Sequence, residues 1–180
     1  MRLASAVLAL ALFGAAPLIP STLAAEPAAT ESFAQGSLKA GRIQASLARL
    51  AVRRADSDEV RRFAGALLGE LDARNGRLAD IVRAEGFSET TATVGALPPS
   101  EIPERRREFN RLRAREGSAF DKQFLRAIIV GYENALRGYE AQASIRHEDL
   151  RTLVAESAPQ MKERLAEARR LLEQIEREQR

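Results

Sequence analysis

The sequence predicts an all-α fold: a ferritin-like antiparallel four-helix bundle, with a long connection and a short extra helix between the second and third long helices. Three observations predict it. Apolar residues recur at helical spacing from Phe33 to Ile175. No convincing strand alternation interrupts them. One Pro-, Gly-, Ser- and Thr-rich stretch divides the helical segments into two pairs, the connectivity of a single-crossover bundle. The 180 residues suffice for one domain with a sizeable core.

The first helix carries Phe33, Ala40, Ile43, Leu47, Leu50 and Ala51 on one side and ends near Ala55. Asp56 or Ser57 suits the N-cap of the next helix. That second helix aligns Val60, Phe63, Leu67, Leu71, Leu78 and Ile81, and Gly86 is a natural stop. So short a turn makes the pair antiparallel. Phe87 to Pro103 is the long connection, of a length uncommon inside a compact domain. Glu104 to Glu116 reads as a short charged helix with Phe109 and Leu112 as its apolar side, broken by Gly117.

Ser118 and Asp121 resemble a capping box, with Asp in place of the usual Glu. The third long helix follows, with Phe120, Phe124, Leu125, Ile128, Tyr132, Leu136 and Tyr139 on one face. The fourth opens at Glu148-Asp149 and aligns Leu150, Leu153, Val154, Met161, Leu165, Ala168, Leu172 and Ile175. Pro159 falls inside that stripe. At about 100° per residue the apolar positions before and after it stay in phase, so a bend rather than a break is expected.

Residues 1–25 read as a secretory signal peptide. Met1-Arg2 is positive, Leu3 to Ile19 is almost wholly apolar, and Leu23-Ala24-Ala25 offers small residues for cleavage. Pro17 and Pro20 shorten the apolar helix below the ~20 residues a span needs, so no transmembrane span is expected after cleavage. Residues 26–180 form the bundle domain, with its core at about 33–172. The absence of cysteine excludes disulfides and a lipid-modified cysteine. In a bacterium the mature chain is expected in the periplasm. The 28 Lys and Arg nearly balance 25 Asp and Glu. No basic face with interleaved aromatics stands out, which argues against nucleic acid as a partner.

Chemistry is constrained mainly by what is scarce. A di-iron carboxylate bundle needs two Glu-x-x-His sets, whereas His147 is the single histidine and Ser144 stands three residues before it. Zinc sites built on His and Cys fail for the same shortage. No cofactor, no tightly bound transition metal and no catalytic residue is expected. His147 lies at a helix junction, where capping is the simpler role. Glu70 projects roughly 80° from the centre of its stripe, and Arg74 and Arg164 about 40° from theirs. An arginine so placed either snorkels to the edge or is buried with an acid or a tyrosine oxygen as partner.

Leu50-Ala51, Ala55-Asp56-Ser57-Asp58-Glu59-Val60 and Phe63-Ala64 resemble the opening of the bacterial DUF4142 domain. Ser118-Ala119-Phe120-Asp121 with Phe124, and Ala158-Pro159 ahead of Leu165, are similar to later parts of it. The likeness runs from about Phe33 to Leu172. It implies an exported ferritin-like domain with no settled activity. Members commonly carry histidines at positions that match Leu71, Tyr132 and Arg164 here, while an acid is kept as Glu70 and Asn75 also matches. The resemblance thus implies a remodelled bundle site of Glu70, Leu71, Arg74, Tyr132 and Arg164.

The leading functional expectation is a non-catalytic periplasmic bundle that acts by binding, in envelope maintenance or stress, with an envelope protein as a candidate partner. The alternative is a degenerate metal or redox protein using Glu70, Glu133 or Glu140, though the last two fall outside the third helix's stripe. A third class, a chaperone or adaptor, would use the charged segment from Glu163 to Arg180, whose mixed signs read first as a solvated helix end.

Overall fold

The computed structural model describes residues 22–87, 109–141 and 147–180. The N-terminal apolar run up to residue 21, most of the long connection and the first part of the short helix lie outside the described residues. Four long helices carry the fold: α1 (Thr22–Arg54), α2 (Asp58–Ala84), α3 (Gly117–Ala141) and α4 (Glu148–Glu178). A short helical stretch at 109–113 precedes α3, and no strand occurs among the described residues.

Cross-helix contacts fix the directions. Phe33 meets Tyr139 edge to face at 5.9 Å, and Asp121 reaches the backbone of Asp56, so α1 and α3 are antiparallel. Arg77 pairs with Glu156 and Arg164 with Glu70, which sets α2 against α4 in the same sense. Arg126–Glu176 and Arg169–Glu133 do so for α3 and α4. Phe63 on Phe124 and Arg74 over Tyr132 make α2 and α3 parallel. The chain therefore leaves α2 and enters α3 at opposite ends of the bundle, and one crossover must join them.

The helix ends follow from local chemistry. Ser57 caps α2, its Oγ accepting the N–H groups of Glu59 (3.2 Å) and Val60 (3.4 Å). Gly86 takes φ +64° just past α2, a conformation that disfavours side chains. His147 caps α4: its Nδ1 accepts the Leu150 N–H at 3.3 Å, and Nε2 lies 3.0 Å from Glu85. Asp121 does not work as part of a local capping box. Its carboxylate instead accepts the N–H groups of Asp56 (3.0 Å) and Ser57 (2.8 Å), tying the α1–α2 turn to α3.

The apolar interior is divided into two clusters. The larger includes Leu47, Phe63, Leu67, Leu71, Phe120, Phe124, Ile128, Tyr132 and Leu165. The smaller comprises Ala34, Leu38, Leu78, Val82, Leu150 and Leu153. Three stripes are drawn differently from expectation. Val82 rather than Ile81 is buried in α2, and Leu171 rather than Leu172 in α4. In α1, Ala40 is exposed while Ala34, Leu38, Ala45 and Ala48 face inward. Ile43, Leu47, Leu50 and Ala51 are buried as expected, whereas the small side chains give a weak periodic signal. The helix of α4 continues through Pro159 to Glu178, burying Leu165, Ala168, Leu171 and Ile175. The charged C-terminal segment is thus part of α4, with one face packed in the bundle and its charged face exposed.

Candidate functional site

The five residues singled out in the sequence meet at the middle of the bundle. Glu70, Leu71 and Arg74 come from little more than one turn of α2, Tyr132 from α3 and Arg164 from α4. Leu71 and Tyr132 are buried in the larger apolar cluster. The Arg164 guanidinium grips Glu70: Nε lies 3.0 and 3.1 Å from the two carboxylate oxygens and one terminal nitrogen 2.5 Å from Oε1. Its other terminal nitrogen donates to Glu167 at 2.6 Å. The Arg164 side chain is 24% exposed and Glu70 32%, so the pair is neither fully buried nor freely solvated. Hydrogen bonding to Glu70 holds the arginine's pKa above its ordinary value.

Arg74 has a different environment. Its guanidinium lies over the ring of Tyr132, 5.8 Å from the centroid. Burial pushes the Tyr132 phenol above its usual pKa; the Arg74 charge opposes that rise and Glu70 adds to it. Tyr139 is likewise raised by burial and lowered by Arg74. Two tyrosines of α3 therefore sense one arginine of α2.

Around this centre lie residues the sequence did not single out and others, Asn75, Glu133 and Glu140, that it did. Glu167 completes the Arg164 arrangement, and its i+3 spacing was the available signal. Asn75 is buried against Gly41, and its Oδ1 has no hydrogen-bond partner. A cavity of about 280 Å³ opens between α1 and α3, with Arg74 in its lining. Glycines at 36, 41, 131 and 138, inside otherwise strong helices, were its signal. Glu133 is engaged by Arg169 at 2.7 Å and Glu140 is exposed. Among the described residues no group of three His, Asp or Glu could hold a metal ion. The centre thus offers a fixed ion network on one side and, on the other, an arginine held on a phenol ring that takes part in none of the ion pairs among the described residues.

The chain matches the model of the family described as Domain of unknown function (DUF4142) over residues 18–171. It belongs to that family. No curated protein and no solved structure matches it. The three positions at which the DUF4142 resemblance implies histidines hold an apolar residue, a phenol and a guanidinium, Leu71, Tyr132 and Arg164. No helix of the described residues in this DUF4142 protein is long and apolar enough to cross a membrane.

Proposed function

We propose that this DUF4142 protein is an exported, periplasmic, ferritin-like bundle that acts by binding rather than by catalysis, in envelope maintenance or stress. The observation that carries the reading is the state of Glu70. The acid at the bundle centre is held by three hydrogen bonds from Arg164, in the bidentate geometry that fixes orientation. A carboxylate so engaged is a strut between α2 and α4. The rival metal or redox reading needs Glu70 free of its arginine.

Export is supported by the positive start and apolar run of residues 1–19. It is also supported by Pro27, which lies inside α1 in the full chain. Cleavage after Ala25 would leave Pro27 in the first turn, where its missing N–H costs nothing. The single crossover from α2 to α3 supports the ferritin-like assignment.

The test is expression of the full chain in a Gram-negative host, osmotic-shock release and intact-mass measurement. A released form beginning at Glu26 is expected; a cytoplasmic form that retains Met1 to Ala25 would overturn export. In the native bacterium, loss of the gene should raise sensitivity to detergent and osmotic shock. Complementation by the parent but not by a form lacking residues 2–25 is expected. Equal tolerance with and without the gene would sink the envelope role.

A further inference from the structure

The cavity between α1 and α3 is elongated. On α1 its lining runs from Ser32 to Leu47, which at 1.5 Å per residue is about 22 Å. Its walls include Gly36 and Ala40 on α1 and Ala135 and Gly138 on α3, with Ser37, Gln44 and Asn134 as polar members of the lining. Phe33, Leu78 and Tyr139 supply larger surfaces at one end and Leu47 at the other. The space beside Gly36 and Gly138 is open, whereas the Gln44 side chain packs against Gly131.

Arg74 reaches this apolar groove from α2, across the bundle. None of the ion pairs among the described residues includes it. Glu70, only one helical turn away, is taken by Arg164. A half-buried guanidinium beside apolar walls, stacked on a phenol ring, is a cation short of an anion. Asn75, next to Arg74 in sequence and 92% buried, leaves its Oδ1 unpaired behind Gly41 of the same wall. Arg74 lines the groove, whereas Asn75 lies behind its Gly41 wall and outside the lining.

We propose that this groove binds an anionic amphiphile, a single carboxylate on an unbranched alkyl chain. The carboxylate pairs with Arg74 and the chain lies along the glycine- and alanine-lined helix faces. The guanidinium suits a carboxylate through two parallel N–H donors, while the walls contribute apolar area and no competing acid. The inference deepens the binding role proposed above. Its test uses purified protein, so failure to bind would leave export standing, and failure of export would leave the binding result intact.

The probe is decanoate, titrated below its micelle concentration and followed by calorimetry and thermal melting. Decanol and decylamine serve as the uncharged and oppositely charged controls. Saturable binding of one decanoate per chain is expected, with decanol and decylamine at least tenfold weaker. Arg74→Met should weaken decanoate at least tenfold and leave decanol unchanged. Gly138→Leu should abolish binding of both, because a side chain there enters open space in the groove and meets no neighbour. That variant also replaces a helical glycine with a good helix former, so it should fold at least as stably as the parent. Equal affinity for decanoate and decylamine, unchanged binding in Gly138→Leu, or no saturable binding would each overturn the proposal.

Discussion

Arg164 holds two acids at once, Glu70 across the helix interface and Glu167 one turn along its own helix. An exposed pair contributes under ~1 kcal/mol and breaking a buried one costs about 3–5. With about a quarter to a third of each side chain exposed, the expected loss for Arg164→Ala is intermediate, about 1–3 kcal/mol, or several degrees in Tm. Arg164→Met keeps the volume and should melt between the two. If both variants melt with the parent, the network adds nothing to the fold. Asp121 poses a pH question. It is 1% exposed and its carboxyl is raised, by burial first, against the two backbone N–H groups that lower it. A raised folded pKa gives stability that is complete below the ordinary carboxylate value of about 3.9 and is lost as pH rises through the folded value. The stability gap between parent and Asp121→Asn, read from urea denaturation, should therefore narrow as pH rises above about 4. A gap that widens would show that the two N–H bonds outweigh burial.

At the scale of elements, two glycines are explained by what sits above them. A Cβ on Gly41 would lie 2.0 Å from Asn75 Oδ1, and one on Gly131 would lie 2.5 Å from Gln44 Nε2. Gly41→Ala should destabilise the bundle despite the better helix propensity of alanine, since Asn75 is buried and cannot retreat to solvent. Gly76→Ala, with no atom near the added Cβ, should stabilise by up to about 1 kcal/mol. Melting curves of the two variants moving the same way would contradict this account. The same contrast explains what could be read in advance. Val60, Phe63, Leu67, Ile128 and Leu165 are large and periodic, so helix existence and facing were legible from spacing alone. The Ser57 cap and the Gly86 stop were legible from residue type. On α1, Ile43, Leu47, Leu50 and Ala51 were legible in the same way, but the small-residue part of its inner face was not, because Ala34, Ala45, Ala48 and Gly41 differ too little from a solvated helix. The role of Asp121 was hidden for another reason: its partners Asp56 and Ser57 are more than sixty residues away. The grouping of Glu70, Tyr132 and Arg164 came from the DUF4142 resemblance, with helical phase pointing to Arg74 and Arg164, yet which acid Arg164 would choose depended on the register of α2 against α4.

For the whole molecule, the division of the interior matters more than its size. The larger cluster draws on all four long helices and the short helical stretch, and it is tied at its end by Asp121 and by Arg54, which donates to the carbonyls of Arg113 (2.8 Å) and Arg115 (3.1 Å). The smaller one rests on six buried residues with Phe33, Ala79, Ile81 and Phe87 packed against it. Between them stand Asn75 and the half-buried Arg74, which contribute little apolar contact to either side. Cooperative opening follows buried apolar area, so the two ends should not open together. Native-state hydrogen exchange should give the α2 amides near Leu78 and the α4 amides near Leu153 lower protection than those near Leu67 and Leu165. Leu67→Ala should lower global stability by about 2–5 kcal/mol, as expected for a filled core position. Leu153→Ala should chiefly speed exchange at its own end and leave amides near Leu67 close to parent values. If Leu153→Ala accelerates exchange evenly along α2 and α4, the bundle opens as one unit and the polar level at Asn75 does not divide it. If the faster exchange stays on the Leu153 side, the groove at Arg74 borders the part of the bundle that yields first. A ligand bound there would then raise protection on the Leu78 side more than on the Leu67 side, by mass action on that local opening.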